Sequence, residues 1–125
     1  MTGTATAKVF EGRTLDAEAP FASGEFWAIG KILKGEIVRI YQTVMDEKPS
    51  LAYVVELEDP VEIDGEDWER VSIGNLAGFR MALQAAHQDR LYLKDVIEME
   101  CESIKKAKKE GYSPRPNFRL KITRI

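Results

Sequence analysis

Residues 68–87, WERVSIGNLAGFRMALQAAH, change period part-way, and that change decides the fold. Trp68–Ile73 has the length and β-branched content of a short strand. After Gly74 the apolar residues Leu76, Phe79, Met81, Leu83 and Ala86 fall on helical spacing as far as His87. Asn75 is the expected N-cap, since its side chain can satisfy a first-turn amide. A strand therefore runs directly into one short helix, and the segments on either side must supply the rest of the core.

Upstream, Ile29–Val44 (IGKILKGEIVRIYQTV) is long and β-branched, with Gly30 and Gly35 inside it. Glycines in such a strand mark a bulge or a sharp coil. A turn is expected at Asp46–Ser50, followed by a second strand at Leu51–Leu57, where Leu51, Tyr53, Val55 and Leu57 share one face. Asp64-Gly65 is a hairpin signal leading back to Trp68. Downstream, Asp95–Ile104 alternates again, with Ile97, Met99 and Cys101 opposite Glu98, Glu100 and Glu102. Asn117–Ile125 is the last strand, with Phe118, Leu120 and Ile122 inward and Arg119 and Lys121 outward. Three strands, one helix and two strands make a mainly β chain, and five antiparallel strands close a core by curling. The expected fold is a five-stranded OB-fold-like barrel with one helix between strands 3 and 4. Residues 1–24, small and Thr/Ala-rich, are expected as a flexible N-terminal arm, and residues 25–125 as the domain.

The 125 residues suit one domain, and 44% apolar with 31% charged composition suits a globular chain. No apolar run approaches the roughly 20 residues that span a bilayer, and Met1–Ala7 has no secretory signal pattern, so no membrane partner and a cytoplasmic location are expected. The single cysteine, Cys101, cannot form an internal disulfide and lies in a strand pattern as a small core residue.

The net charge of −3 conceals two opposed regions. Asp46–Arg70 carries ten acids against Lys48 and Arg70, a local −8. Ile104–Ile125 carries eight basic residues against Glu110, a local +7. These regions either neutralise each other in the fold or give the molecule a directed field.

Catalytic constellations are not evident. His87, the only histidine, has no serine or cysteine at a recognisable spacing, the acids of residues 56–69 match no calcium loop or metal helix, and the glycines form no phosphate cradle. No catalytic residue, metal ligand or cofactor is assigned, and the chain is expected not to be an enzyme. The basic segment is different in kind. Lys105, Lys106, Lys109 and Arg115 flank Tyr112 on a Gly-Tyr-Ser-Pro turn, offering cations for phosphates and a ring for a base. Lys31, Lys34, Arg39 and Tyr41 on the first strand, Tyr53 on the second, and Arg119 and Lys121 on the last complete the candidate set. Trp27 and Phe118 are read as core. Tyr41, Tyr53 and Trp68 stand equally as core rings or as stacking platforms.

The element order, together with residues 95–122, DVIEMECESIKKAKKEGYSPRPNFRLKI, resembles the C-terminal half of small OB-fold single-stranded DNA-binding proteins of phages and bacteria. The matching residues are Asp95, Val96, Glu98, Lys105, Lys106, Lys109, Gly111, Asn117, Phe118 and Leu120, about a quarter of the chain being covered in detail. The resemblance implies sequence-tolerant binding of exposed strands by an oligomer. Cellular members end in an acidic recruiting tail, whereas this sequence ends at Arg124-Ile125, so recruitment of that kind is not expected. The expected function is non-enzymatic binding of single-stranded nucleic acid, DNA as the resemblance has it. The alternative is a protein-interaction or assembly module whose −8 and +7 regions pair between copies.

Overall fold

A computed structural model describes residues 19–23, 26–45, 47–74, 76–106 and 114–125. The order is β1 (Ile32–Met45), β2 (Lys48–Ile63), β3 (Glu66–Ile73), α1 (Ala77–Ala85), β4 (Val96–Lys105) and β5 (Arg115–Thr123). All five strands and the helix overlap the segments that the sequence periods mark, in the expected order, although their ends differ. No helix among the described residues is long and apolar enough to cross a membrane.

The strands form one antiparallel sheet in the order β3-β2-β1-β4-β5. β1 is central because it is long enough to serve two partners. Its first half pairs with β4, from Ile32 opposite Glu100 to Glu36 opposite Val96, while β2 runs along it from Gly35 to Met45. Gly35 sits where both partners meet β1, and a Cβ there would land on the Glu56 carbonyl, so only glycine permits the approach. The bulge expected at a glycine lies instead between Ile37 and Arg39. It restores the inward face, so that Leu33 and Ile37 before it and Ile40 after it all pack on the core.

β2 extends well beyond the expected Leu51–Leu57 because a second irregularity, between Glu56 and Val61, accommodates Pro60 where β3 offers no partner. The hairpin then closes at Asp64 and Gly65, whose φ angles of 53° and 81° suit a type I′ turn. α1 begins without a side-chain cap: Asn75 lies outside the described residues, and the N-cap position falls on Leu76 in extended backbone. Its end is better defined. His87 takes a left-handed φ of 58°, its N–H donates to the Gln84 carbonyl, and the Gln88 N–H donates to the Leu83 carbonyl. That pair of bonds is the Schellman arrangement, here without the usual glycine.

The core joins Leu33 and Ile37 of β1, Tyr53 and Val55 of β2, Val71 and Ile73 of β3, Phe79 of α1, and Ile97, Met99 and Cys101 of β4. Closure departs from expectation. The sheet is open: among the described residues no ladder joins β3 to β5, so the barrel is not closed by hydrogen bonds. The segment leading into β1 touches both unpaired flanks instead. The Ser72 N–H donates to the Pro20 carbonyl and the Ala22 N–H to the Ser72 carbonyl, which ties this segment to β3. Trp27, 3% exposed, donates its indole N–H to Ala22 and packs edge-on against Phe118 of β5, with ring centres 4.6 Å apart. α1 also lies against β5, where Gly78 leaves room for the Pro116 carbonyl. Backbone bonds to β3 on one side and the Trp27–Phe118 contact with β5 on the other thus stand in place of a β3–β5 ladder. Residues 1–18 and Gly24 of the expected arm lie outside the described residues, while residues 19–23 are docked on β3.

Candidate nucleic-acid interface

The register of the sheet sorts the candidate residues into four places. At one end, β4 and β5 finish their ladder with Lys105 opposite Arg115, the two strands being neighbours as expected. Lys105 and Lys106 are exposed, and Arg115 is half-buried. No ion pair holds any of the three among the described residues, and the Arg115 Nε is buried without a hydrogen-bond partner. Lys31 lies toward the same end, level with Cys101, which is four residues before Lys105 in β4. Its carbonyl accepts the Cys101 N–H, which sets it level with β4, and its ammonium lies 4.1 Å from the centre of the Phe26 ring. Phe26 in turn stands edge-on to Trp27. This end therefore combines four cations with a half-buried ring. Lys109 and Tyr112 lie outside the described residues.

The outer face of β1, β4 and β5 is the second place, and it is neutralised. Lys34 stands opposite Glu98, Lys121 stands opposite Glu98 from the other side, and Arg119 stands opposite Glu100. An Arg119 Nη lies 3.4 Å from a Glu98 oxygen and 3.2 Å from a Glu100 oxygen, and Lys34 also reaches Glu58 at 3.6 Å. A phosphate approaching here would meet β4 carboxylates between the cations. The alternation of Glu98, Glu100 and Glu102 was visible in the sequence, but their cross-strand partners were not.

Arg39 and Tyr41 form the third place, toward the far end of β1. The Arg39 guanidinium lies 5.1 Å from the Tyr41 ring centre. Tyr41 is half-buried, and its hydroxyl donates a long 3.4 Å bond to Ser72, whose own hydroxyl donates to the Ala19 carbonyl. Tyr41 thus helps to seat the segment that docks on β3, remote from Lys105 and Arg115. Trp68 is half-buried and packs against the core.

Tyr53 is the clearest difference from the expected stacking set. It is 3% exposed, its hydroxyl accepts the Leu91 N–H at 3.2 Å, and its ring meets Phe79 edge-on. Burial, the largest influence, raises its pKa above the usual phenol value despite the Leu91 bond. Packed in the core against Phe79, the ring is not a platform on which a base could stack. Burial likewise pushes the Cys101 thiol up, which suits an unreactive core residue.

One charged site went unassigned in the sequence. Asp95, 1% exposed, accepts two bonds from Arg124, Nε to Oδ1 at 2.8 Å and Nη2 to Oδ2 at 2.7 Å. The Tyr92 N–H adds a third at 2.8 Å. Arg124 also donates to Gln88, and with Arg90 it flanks the Tyr92 ring at 4.8 and 4.6 Å. The bonds from Arg124, then the Tyr92 amide, hold the Asp95 carboxyl below the usual carboxylate range against the opposing effect of burial. In the sequence Asp95 leads a strand pattern and Arg124 counts among the eight basic residues of the C-terminal segment. The two lie far apart in sequence, so no local signal joins them.

The acidic and basic regions also take definite places. β3 and β5 are the outermost strands of the hydrogen-bonded order, so the acidic hairpin and the basic strand stand at opposite edges. Comparison with protein-family models, with curated proteins and with solved structures finds no match to this chain.

Proposed function

We propose that this chain is a non-enzymatic single-stranded nucleic-acid-binding protein on an OB-type, partly open barrel, and that it grips the strand at the sheet end bearing Lys31, Lys105, Lys106 and Arg115. The observation that carries the reading is the pairing of Lys105 with Arg115 at the mouth of the β4–β5 connection, beside Lys106, with no acid bonded to any of them among the described residues. Polyanion binding draws its affinity from such cations, and OB-folds commonly engage oligonucleotides through the loop joining their last two strands. Lys109 and Tyr112 of that connection would add a phosphate contact and a stacking ring. Phe26 offers a second apolar surface at the same end.

The test is an anisotropy titration of a labelled single-stranded oligonucleotide at several salt concentrations. Affinity should fall with salt at a log–log slope of about −0.7 per phosphate contacted, or roughly −3 for four cations. Absence of binding at low salt would end the proposal.

A second reading is favoured by the position of the acidic hairpin at the opposite edge from β5. Head-to-tail pairing of copies would set Glu62, Glu66 and Asp67, all exposed, against the basic end. Salt-sensitive light scattering without oligonucleotide affinity would select it.

A further inference from the structure

A cleft of about 560 Å³ opens between the second half of α1 and the start of β2, away from the basic end. Its volume falls within the range of small-molecule sites. Pro49, Leu51, Phe79 and Leu83 give it apolar walls. Ser50 also lines it, and this is the unexplained group: the residue is 9% exposed, and its hydroxyl oxygen is buried without a hydrogen-bond partner among the described residues. A buried hydroxyl left unpaired destabilises a fold, so a ligand that bonds it would relieve the cost. Tyr53 presents a second hydroxyl, which accepts the Leu91 N–H but whose own proton has no acceptor among the described hydrogen bonds.

The polar rim narrows the ligand class. Gln84, Gln88, Asp89 and Arg80 contribute two carboxamides, a carboxylate and a guanidinium. The Gln88 carbonyl oxygen is occupied by Arg124, which leaves its amide N–H groups available. A wholly apolar ligand would leave both hydroxyls unpaired, and a simple ion would make no use of Leu51 and Leu83. A flat heterocycle with alternating donors and acceptors on its edge fits both the walls and the rim, since such edges are read by hydroxyl, amide and carboxylate side chains. We propose that this cleft is a nucleobase pocket. The base can come from a free mononucleotide or from an unstacked residue of a bound strand. The proposal does not depend on the basic end, because the two sites share no residue.

The experiment follows backbone amide NMR signals of the full chain during titration with AMP, GMP, CMP and UMP, with ribose 5-phosphate as the control lacking a base. At least one nucleotide should shift Ser50, Leu51, Gln84 and Gln88 saturably, and ribose 5-phosphate should not. Ser50→Ala and Gln84→Ala should each weaken that binding by roughly five- to tenfold, the loss of one hydrogen bond. Ser50→Ala removes an unpaired hydroxyl, so it should retain the fold, as an unchanged spectrum elsewhere would verify. A parallel titration with a short oligonucleotide distinguishes the sources: shifts at these residues only with mononucleotides indicate a free nucleotide, and shifts with the oligonucleotide indicate a strand base. Equal shifts with ribose 5-phosphate, or none from any nucleotide or oligonucleotide at 10 mM base, would overturn the proposal. Loss of cleft binding with intact salt-dependent oligonucleotide affinity would leave the basic-end reading standing.

Discussion

Arg115 at the start of β5 and Arg124 just past its end are the same residue type in opposite electrostatic circumstances. Arg115 stands beside Lys105 with no acid bonded to it among the described residues, and Arg124 is forked onto the buried carboxylate of Asp95. Between them, Arg119 lies over Glu98 and Glu100. The contrast teaches that a local count of +7 says little about charge available to a ligand. Availability is set by what the neighbouring strand and loop present, and along one strand it passes from open to shared to fully engaged.

The largest effect is expected at the engaged end. Asp95→Ala removes a buried carboxylate that accepts three hydrogen bonds, and should cost about 2–3 kcal/mol in chemical denaturation. The same bonds give a pH dependence. The folded Asp95 carboxyl titrates below its unfolded value, so its contribution is complete above roughly pH 4 and is lost as pH falls through the lower folded value. Asp95→Asn should therefore be less stable at neutral pH and lose less on acidification than the parent chain. A variant with unaltered neutral stability would show that Arg124 is not a structural clasp.

Next comes the open end. Replacing Lys105, Lys106 and Arg115 together by alanine should lower oligonucleotide affinity at least tenfold at low salt and reduce the salt slope by about 2. An unchanged slope would place the strand elsewhere and remove the contrast between the two ends. A smaller change is expected at His87, which holds a left-handed conformation just before Gln88 delivers its carbonyl to Arg124. His87→Gly should raise thermal stability by roughly 0.5–1 kcal/mol through relief of that conformation. Smallest of all, Arg119→Ala should alter oligonucleotide affinity by less than about twofold, since its charge is already shared by two glutamates. A loss as large as that of the triple variant would mean that those glutamates yield to phosphate.

Several features were legible in the sequence alone. The switch of period at Gly74 located α1, the Asp64-Gly65 pair located the hairpin, and alternation assigned Ile97, Met99 and Cys101 to the core. Tyr53 was readable only in part: its alternation with Leu51, Val55 and Leu57 suits a core face equally well as a binding face. The β1 bulge was misplaced to a glycine because the parity change falls among β-branched residues that suit either face. The cleft around Ser50 left no trace, since its walls come from the start of β2, from α1 and from the loop after it.

What the chain determined by itself is the kind and order of its elements, because helix and strand periods are local properties of side-chain spacing. The pairing that places Glu98 between Lys34 and Lys121, joins Asp95 to Arg124 and replaces a β3–β5 ladder with Trp27 and Phe118 came only with the tertiary structure. Register and closure depend on contacts between residues remote in sequence, and their energies are decided by which partners the folded sheet brings within reach.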